Sequence, residues 1–326
     1  MSAPHPPRGD ERPLRVICGP TAAGKSALAL RLAEAEGAAI LSADSRQLYR
    51  GFDIGTAKPT PAERARVPHF GLDLADPMER WTAARWAGDC ERWLVEAGAL
   101  GRAPLIVGGT GFYVRALAAP LFEEPPLDPG ARARLAGVLD AMPLAELRRW
   151  VEAIDPARAH LQRAQLLRAV EVALLTGERL SSWHRRAARP PRHAVRYLIV
   201  DPGPRLGERI AERADAMLAA GWVEEVRRLA DWVPAEAPAW NASGYEVLRR
   251  HVRGALSLAE ARDRLVIDTR QYAKRQRTWL RHQLPPSAVV RVNPDDPDAF
   301  AVARAWWRGE LDDAQGSLPR RGEEVA

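Results

Sequence analysis

Cysteine is nearly absent. Cys18 and Cys90 are the two in 326 residues, which excludes a disulfide framework and the small stapled folds built on one. No run of about 18 apolar residues occurs, so a membrane-spanning helix is excluded as well. The first 13 residues, MSAPHPPRGDERP, hold no apolar h-region; they are expected to form a disordered leader, not a signal peptide. Without secretion the sequon Asn241-Ala242-Ser243 carries no weight, and the cytoplasm is the expected compartment. The guanine signature N-K-x-D is missing throughout, which weakens any GTPase reading.

What is present describes an ordinary globular chain, 46% apolar and 28% charged. Its length suits one large α/β domain with an insertion, or two domains. The balance of 48 Lys plus Arg against 42 Asp plus Glu gives a net charge of +6. That suits a polyanionic partner, although arginine-rich composition alone does not single out nucleic acid. The 11 tryptophans are assigned mostly to packing.

Along the chain, short apolar runs alternate with helical patterns. Residues 14–18 read as a strand, 26–36 as a helix, 38–41 as a strand, 81–100 as a long helix and 104–107 as a buried strand. This alternation predicts a parallel sheet with helices on both faces. Ligands of such sheets bind beyond the carboxyl ends of the strands. From Pro120 the texture becomes helical: residues 131–176 read as continuously helical, and 121–189 as an all-helical insertion. Residues 197–200 return to strand, 206–284 are helical, and 308–326 form a polar tail. The core is thus expected from residues 14–120 and 190–307.

The run Gly19-Pro20-Thr21-Ala22-Ala23-Gly24-Lys25-Ser26 matches G-x-x-x-x-G-K-S between a strand and a helix. Its glycines let backbone N–H groups face phosphate oxygens, Lys25 adds charge, and the Ser26 hydroxyl can ligate Mg²⁺. A kinase would need a further acidic Mg²⁺ ligand after a buried strand. Asp201 is placed for that, but the Pro202-Gly203 that follows equally suits a simple turn. Cys18, just before the loop, reads as a small buried hydrophobe. Asp44 stands at a strand end, where a carboxylate can bind metal, take a proton or cap the next helix.

The motifs GPTAAGKS, SADSRQLYRGFDIGTAKPT, VPHFGLD, VGGTGFYVRAL and DTRQYAKRQRTWLR, in that order over residues 14–285, resemble the tRNA dimethylallyltransferases. The resemblance implies a P-loop NTPase-like fold, and transfer of a dimethylallyl group to the exocyclic N6 amine of the adenosine 3′ of the anticodon. It implies tRNAs reading U-initial codons as substrates, with dimethylallyl diphosphate as donor and Mg²⁺ as cofactor. Under it, Gly19 to Ser26 hold the diphosphate, Asp44 is the general base, and Thr110 sits beside the reacting groups. Asp44, Ser45, Arg46, Gln47, Thr110 and Arg132 match positions that meet the tRNA. Within the insertion the pattern departs from the family's Gln-Arg; Gln165 and Arg168 stand as the replacements.

Arg270, Lys274, Arg277 and Arg281 are spaced 4, 3 and 4 apart, which places them on one helical face. Such a stripe suits a phosphate backbone or a plain solvated surface; the resemblance favours tRNA. The rivals are an adenylate isopentenyltransferase acting on free AMP, ADP or ATP, a small-molecule kinase, and a noncatalytic RNA-binding protein. The last leaves the phosphate loop unexplained. A monomer is expected.

Overall fold

The structure is a computed structural model that describes residues 13–118, 125, 127–186 and 193–311. The expected leader up to Arg12, and the expected tail beyond Leu311, lie outside the described residues, as do residues 119–124, 126 and 187–192.

Six parallel strands form one sheet: β1 (Leu14–Cys18), β2 (Ala38–Ser42), β3 (His69–Phe70), β4 (Ala103–Gly108), β5 (Val195–Val200) and β6 (Val289–Val292), in the order β3-β2-β4-β1-β5-β6. β1 is central, with Ile17 paired to Val107 on one side and to Leu198 on the other. Its neighbours read as near-continuous apolar runs because both faces are covered. Alternate residues supply two cores. Val16, Leu41, Ile106 and Tyr197 join one; Ile17, Ile40, Leu105 and Leu198 join the other.

Helices α1 (Lys25–Glu36), α2 (Pro61–Arg66), α3 (Ala83–Ala99) and α4 (Gly111–Ala118) follow the first four strands. α3 starts two residues later than its apolar pattern suggests, because the Thr82 side chain accepts from Arg85 N–H and caps it. On this face Trp86 stacks on Tyr113 with ring centres 4.7 Å apart, and its indole N–H donates to the Ser42 carbonyl at 3.0 Å. Both cysteines are free and buried, and burial pushes each thiol up to about 12.

The chain divides into two compact units, residues 119–191 and the remainder. The smaller holds α5 (Pro129–Asp140), α6 (Leu144–Ile154), α7 (Arg163–Thr176) and α8 (Leu180–Arg186), packed around Leu147, Val151, Leu166 and Val170. The stretch expected to be continuously helical breaks at Pro143, which has no N–H to continue a helix, and again between Asp155 and Gln162. In the larger unit, α9 (Leu206–Ala219), α10 (Trp222–Ala230), α11 (Tyr245–Val252) and α12 (Leu258–Gln283) precede β6, and α13 (Ala299–Arg308) follows it. Arg304 and Arg308 both donate to Glu36, fastening α13 to the end of α1. Among the described residues no helix is long and apolar enough to cross a membrane.

Candidate active site

The loop between β1 and α1 has the geometry its glycines require. A Cβ on Gly19, at φ +153°, would stand 2.2 Å from the Val200 carbonyl oxygen, so only glycine lets the chain pass the end of β5. Gly24 is left-handed at φ +90° and precedes α1 with no side-chain cap. The first-turn amides of α1 therefore keep their donors for an anion. Lys25 Nζ donates to the Pro20 carbonyl at 2.7 Å. Burial lowers the Lys25 ammonium to about 8; the Arg213 guanidinium pushes the same way, and the Asp44 carboxylate opposes both. Ser26 is exposed on the first turn.

Asp44, Ser45 and Thr110 are brought together from strands adjacent in the sheet. Asp44 follows β2, and one of its carboxylate oxygens accepts from the Arg46 N–H at 2.8 Å. Thr110 follows β4; its hydroxyl accepts from the Ser45 N–H at 3.0 Å and donates to the Ser45 hydroxyl at 3.3 Å. Thr110 thus orders the residue beside Asp44. A Cβ on Gly108 would meet the Ala43 carbonyl oxygen at 2.2 Å, so close approach of the two loops requires this glycine.

Gln47 does not present its amide freely. Its Oε1 accepts from the Ser42 hydroxyl at 2.9 Å, and its Nε2 donates to the carbonyls of Thr56 and Ala57. That segment is itself held from below. Glu225, 3% exposed, accepts from the N–H groups of Asp53 and Ile54 and from the Tyr245 hydroxyl. Buried Lys58 donates to Tyr49 O, Asp53 and Asp73. The second motif is therefore long because it is a hydrogen-bonded platform under Asp44.

The phosphate loop from Thr21 to Ser26, with Asp44, Gln47 and Lys58, lines one cleft of about 770 Å³. Its wall includes residues that sequence reasoning missed. Arg205, Arg209 and Arg213 approach it from the start and body of α9. Arg205 and Arg209 pair with Asp295. Arg213 makes no hydrogen bond or ion pair among the described residues, and burial lowers its guanidinium pKa, with only Asp44 opposing. A buried cation of this kind beside a phosphate loop is chemically suited to an anion. Its sequence signal was the 205, 209, 213 spacing along one helix face. Gln276, on α12, is the other missed residue.

Asp201 takes the turn role that Pro202-Gly203 suggested, and it engages one member of the basic stripe. The Arg277 guanidinium bonds both carboxylate oxygens of Asp201 and the Gly203 carbonyl, and the Gly203 N–H donates back to Asp201 at 2.9 Å. Asp201 therefore serves the turn and the ion pair, and Arg277, half-buried, is the member of the stripe already engaged by a carboxylate. Arg270 donates to the Gly207 carbonyl but stays exposed, as do Lys274 and Arg281. In the smaller unit, Arg132 and Arg168 both pair with Glu171. Gln165 accepts from the Gln162 N–H at 3.1 Å in a cap on α7.

The family model described as IPP transferase matches residues 47–283, and one described as isopentenyl transferase matches residues 12–70. A tRNA dimethylallyltransferase from Thermus thermophilus is 41% identical over 298 residues, covering 90% of this chain and 97% of that protein. One from Deinococcus radiodurans is 42% identical, with 88% and 95% covered. The solved tRNA isopentenylpyrophosphate transferase of Bacillus halodurans is 30% identical with a TM-score of 0.66, covering 92% of this chain and 97% of that one. Sheet order, phosphate loop and these likenesses agree: the chain belongs to the tRNA dimethylallyltransferase family.

Proposed function

We propose that the protein transfers a dimethylallyl group from dimethylallyl diphosphate to the exocyclic N6 amine of the adenosine next to the anticodon in tRNA. The observation that carries this reading is the single cleft in which the phosphate loop, Lys25 and Arg213 share a wall with Asp44. A diphosphate in the loop faces first-turn amides, an ammonium and an unpartnered guanidinium. The adenine amine is a poor nucleophile because its lone pair is delocalised into the ring. As its nitrogen bonds to C1 of the donor, the C1–O bond breaks and the diphosphate leaves with the electron pair. The Asp44 carboxylate takes the proton released from nitrogen. Thr110 keeps Ser45, and with it the Asp44 turn, in register. Loop amides, Lys25 and Arg213 stabilise the charge that builds on the leaving group.

Mg²⁺ fits this donor set. The exposed Ser26 hydroxyl offers one protein oxygen, and Mg²⁺ commonly takes one or two such ligands together with substrate phosphates and water. When bound it would neutralise part of the diphosphate charge.

Exposed Arg270, Lys274 and Arg281 favour a polyanionic acceptor over a free nucleotide. The proposed residues of the smaller unit, Arg132, Gln165 and Arg168, would serve the same acceptor. The test is incubation with radiolabelled dimethylallyl diphosphate, offering unmodified tRNA and AMP in parallel, with Mg²⁺ or with chelator. Label in tRNA alone, dependent on Mg²⁺ and independent of ATP, is the expected result. Label in AMP would assign the free-nucleotide activity, and transfer coupled to phosphate release from ATP would assign a kinase-like one.

A further inference from the structure

The KRQR segment of α12 reads as uniformly polar, yet one of its side chains is turned inward. Gln276 is 8% exposed and lies between the buried Ala273 and Leu280 on the same helix. Its Oε1 accepts from the Thr21 N–H at 2.8 Å, and its Nε2 donates to the Gly109 carbonyl at 3.0 Å. Thr21 belongs to the phosphate loop, and Gly109 to the turn that carries Thr110.

These two loops leave neighbouring strands, and the pairing of β1 with β4 ends at Cys18 and Gly108. Beyond that point the sheet ladder holds them no longer. Gln276 takes over, one amide bridging both. Gly109 is shaped for it: a Cβ there would lie 2.5 Å from Gln276 Nε2 and 3.2 Å from the Gly19 carbonyl oxygen. Arg277, the next residue, fixes the helix by its pair with Asp201, so Gln276 has little freedom to drift.

We propose that Gln276 is a positioning residue of the diphosphate site. It fixes the Thr21 peptide, and so the path by which the following amides reach the anion, and it locks that loop to the Thr110 turn. The Thr21 N–H is thereby committed to protein, and the remaining amides with Lys25 and Arg213 form the anion cradle. This rests on the diphosphate reading above. It also separates Gln276 from its exposed basic neighbours, which face a different partner.

Gln276→Met keeps length and volume while removing both hydrogen bonds. The readouts are affinity for inorganic diphosphate, KM for dimethylallyl diphosphate, kcat at saturation, and tRNA affinity. Two lost hydrogen bonds predict about a tenfold loss of diphosphate affinity and a similar rise in KM. The expected kcat stays within about threefold, and tRNA affinity is unchanged. Gly109→Ala, which presses a methyl group against the same amide, should give the same selective loss and serves if the first variant fails to fold. Diphosphate affinity at the wild-type level, or a loss that falls on tRNA instead, would overturn the role given to Gln276. A wild-type protein that binds no inorganic diphosphate would overturn the diphosphate reading itself.

Discussion

Arg213→Gln should weaken diphosphate binding and, at the same time, move its pH dependence upward. Burial already costs this guanidinium part of its basicity, with only the Asp44 carboxylate opposing, and it makes no hydrogen bond or ion pair among the described residues. An ionised hydrogen bond to the anion contributes about 1.5–3 kcal/mol, so affinity at neutral pH should fall about 10- to 150-fold. The second effect runs through Lys25, which burial and Arg213 together hold at about 8. The anion prefers protonated Lys25. The Lys25 contribution to affinity, taken relative to the ligand's own titration, is therefore level below that pH and falls as pH rises through it. Removing Arg213 removes a repelling charge, so the Lys25 ammonium persists to higher pH and the fall begins later. Folding stability should not drop, because the variant loses a desolvated cation and no hydrogen bond. Calorimetric titration with inorganic diphosphate from about pH 7 to about pH 10, beside a thermal melt, measures all three. Unchanged affinity, or a break that stays where the wild type has it, refutes the reasoning.

Asp44→Ala should lower the single-turnover rate about 10²–10⁴-fold with diphosphate still bound; a near-normal rate places the base elsewhere. Because Asp44 supports the Lys25 charge, the same variant should shift the binding break to lower pH, opposite to Arg213→Gln. Lys274→Ala and Arg281→Ala should each reduce the salt slope of log K for tRNA by about 0.7–0.9, whereas Arg277→Ala should lower the melting temperature and leave the slope alone. An unchanged slope in the first two makes that face a solvated one. Gly55→Ala should destabilise by about 1–3 kcal/mol, since its Cβ would stand 2.2 Å from the Trp222 ring; a wild-type urea midpoint would contradict that packing.

The parts of the fold that could be read in advance are those whose residues answer to local rules. Buried parallel strands are continuous apolar runs, so β1, β2, β4 and β5 stood out. β6 did not: Val289–Val292 carries an exposed Arg291 at the sheet edge and sits among prolines, so it resembles a loop. β3 is two residues long, too short for any period to show. At the site, Asp44 and Thr110 could be singled out because each follows an apolar run. Arg213 and Gln276 were not, because their meaning lies in partners far along the chain, or in the lack of one. Helical spacing placed Arg277 beside Lys274 correctly, but a spacing of three cannot announce a carboxylate 76 residues away.

The central position of β1 has a consequence for synthesis. One of its edges is closed by β4, but the other waits for β5, beyond the whole of the smaller helical unit. At ribosomal speeds of about 5–20 residues per second, the intervening stretch of about 85 residues takes roughly 4 to 17 s to appear. Throughout that interval the nascent chain carries an open, largely apolar strand edge, the kind of template that pairs with other chains. The helices of the smaller unit, built on local contacts, fold within milliseconds once made. The half-made sheet cannot. A chain stopped near residue 190 would therefore be ordered in its insertion and adhesive in its core, and chaperone demand should peak there instead of at either terminus.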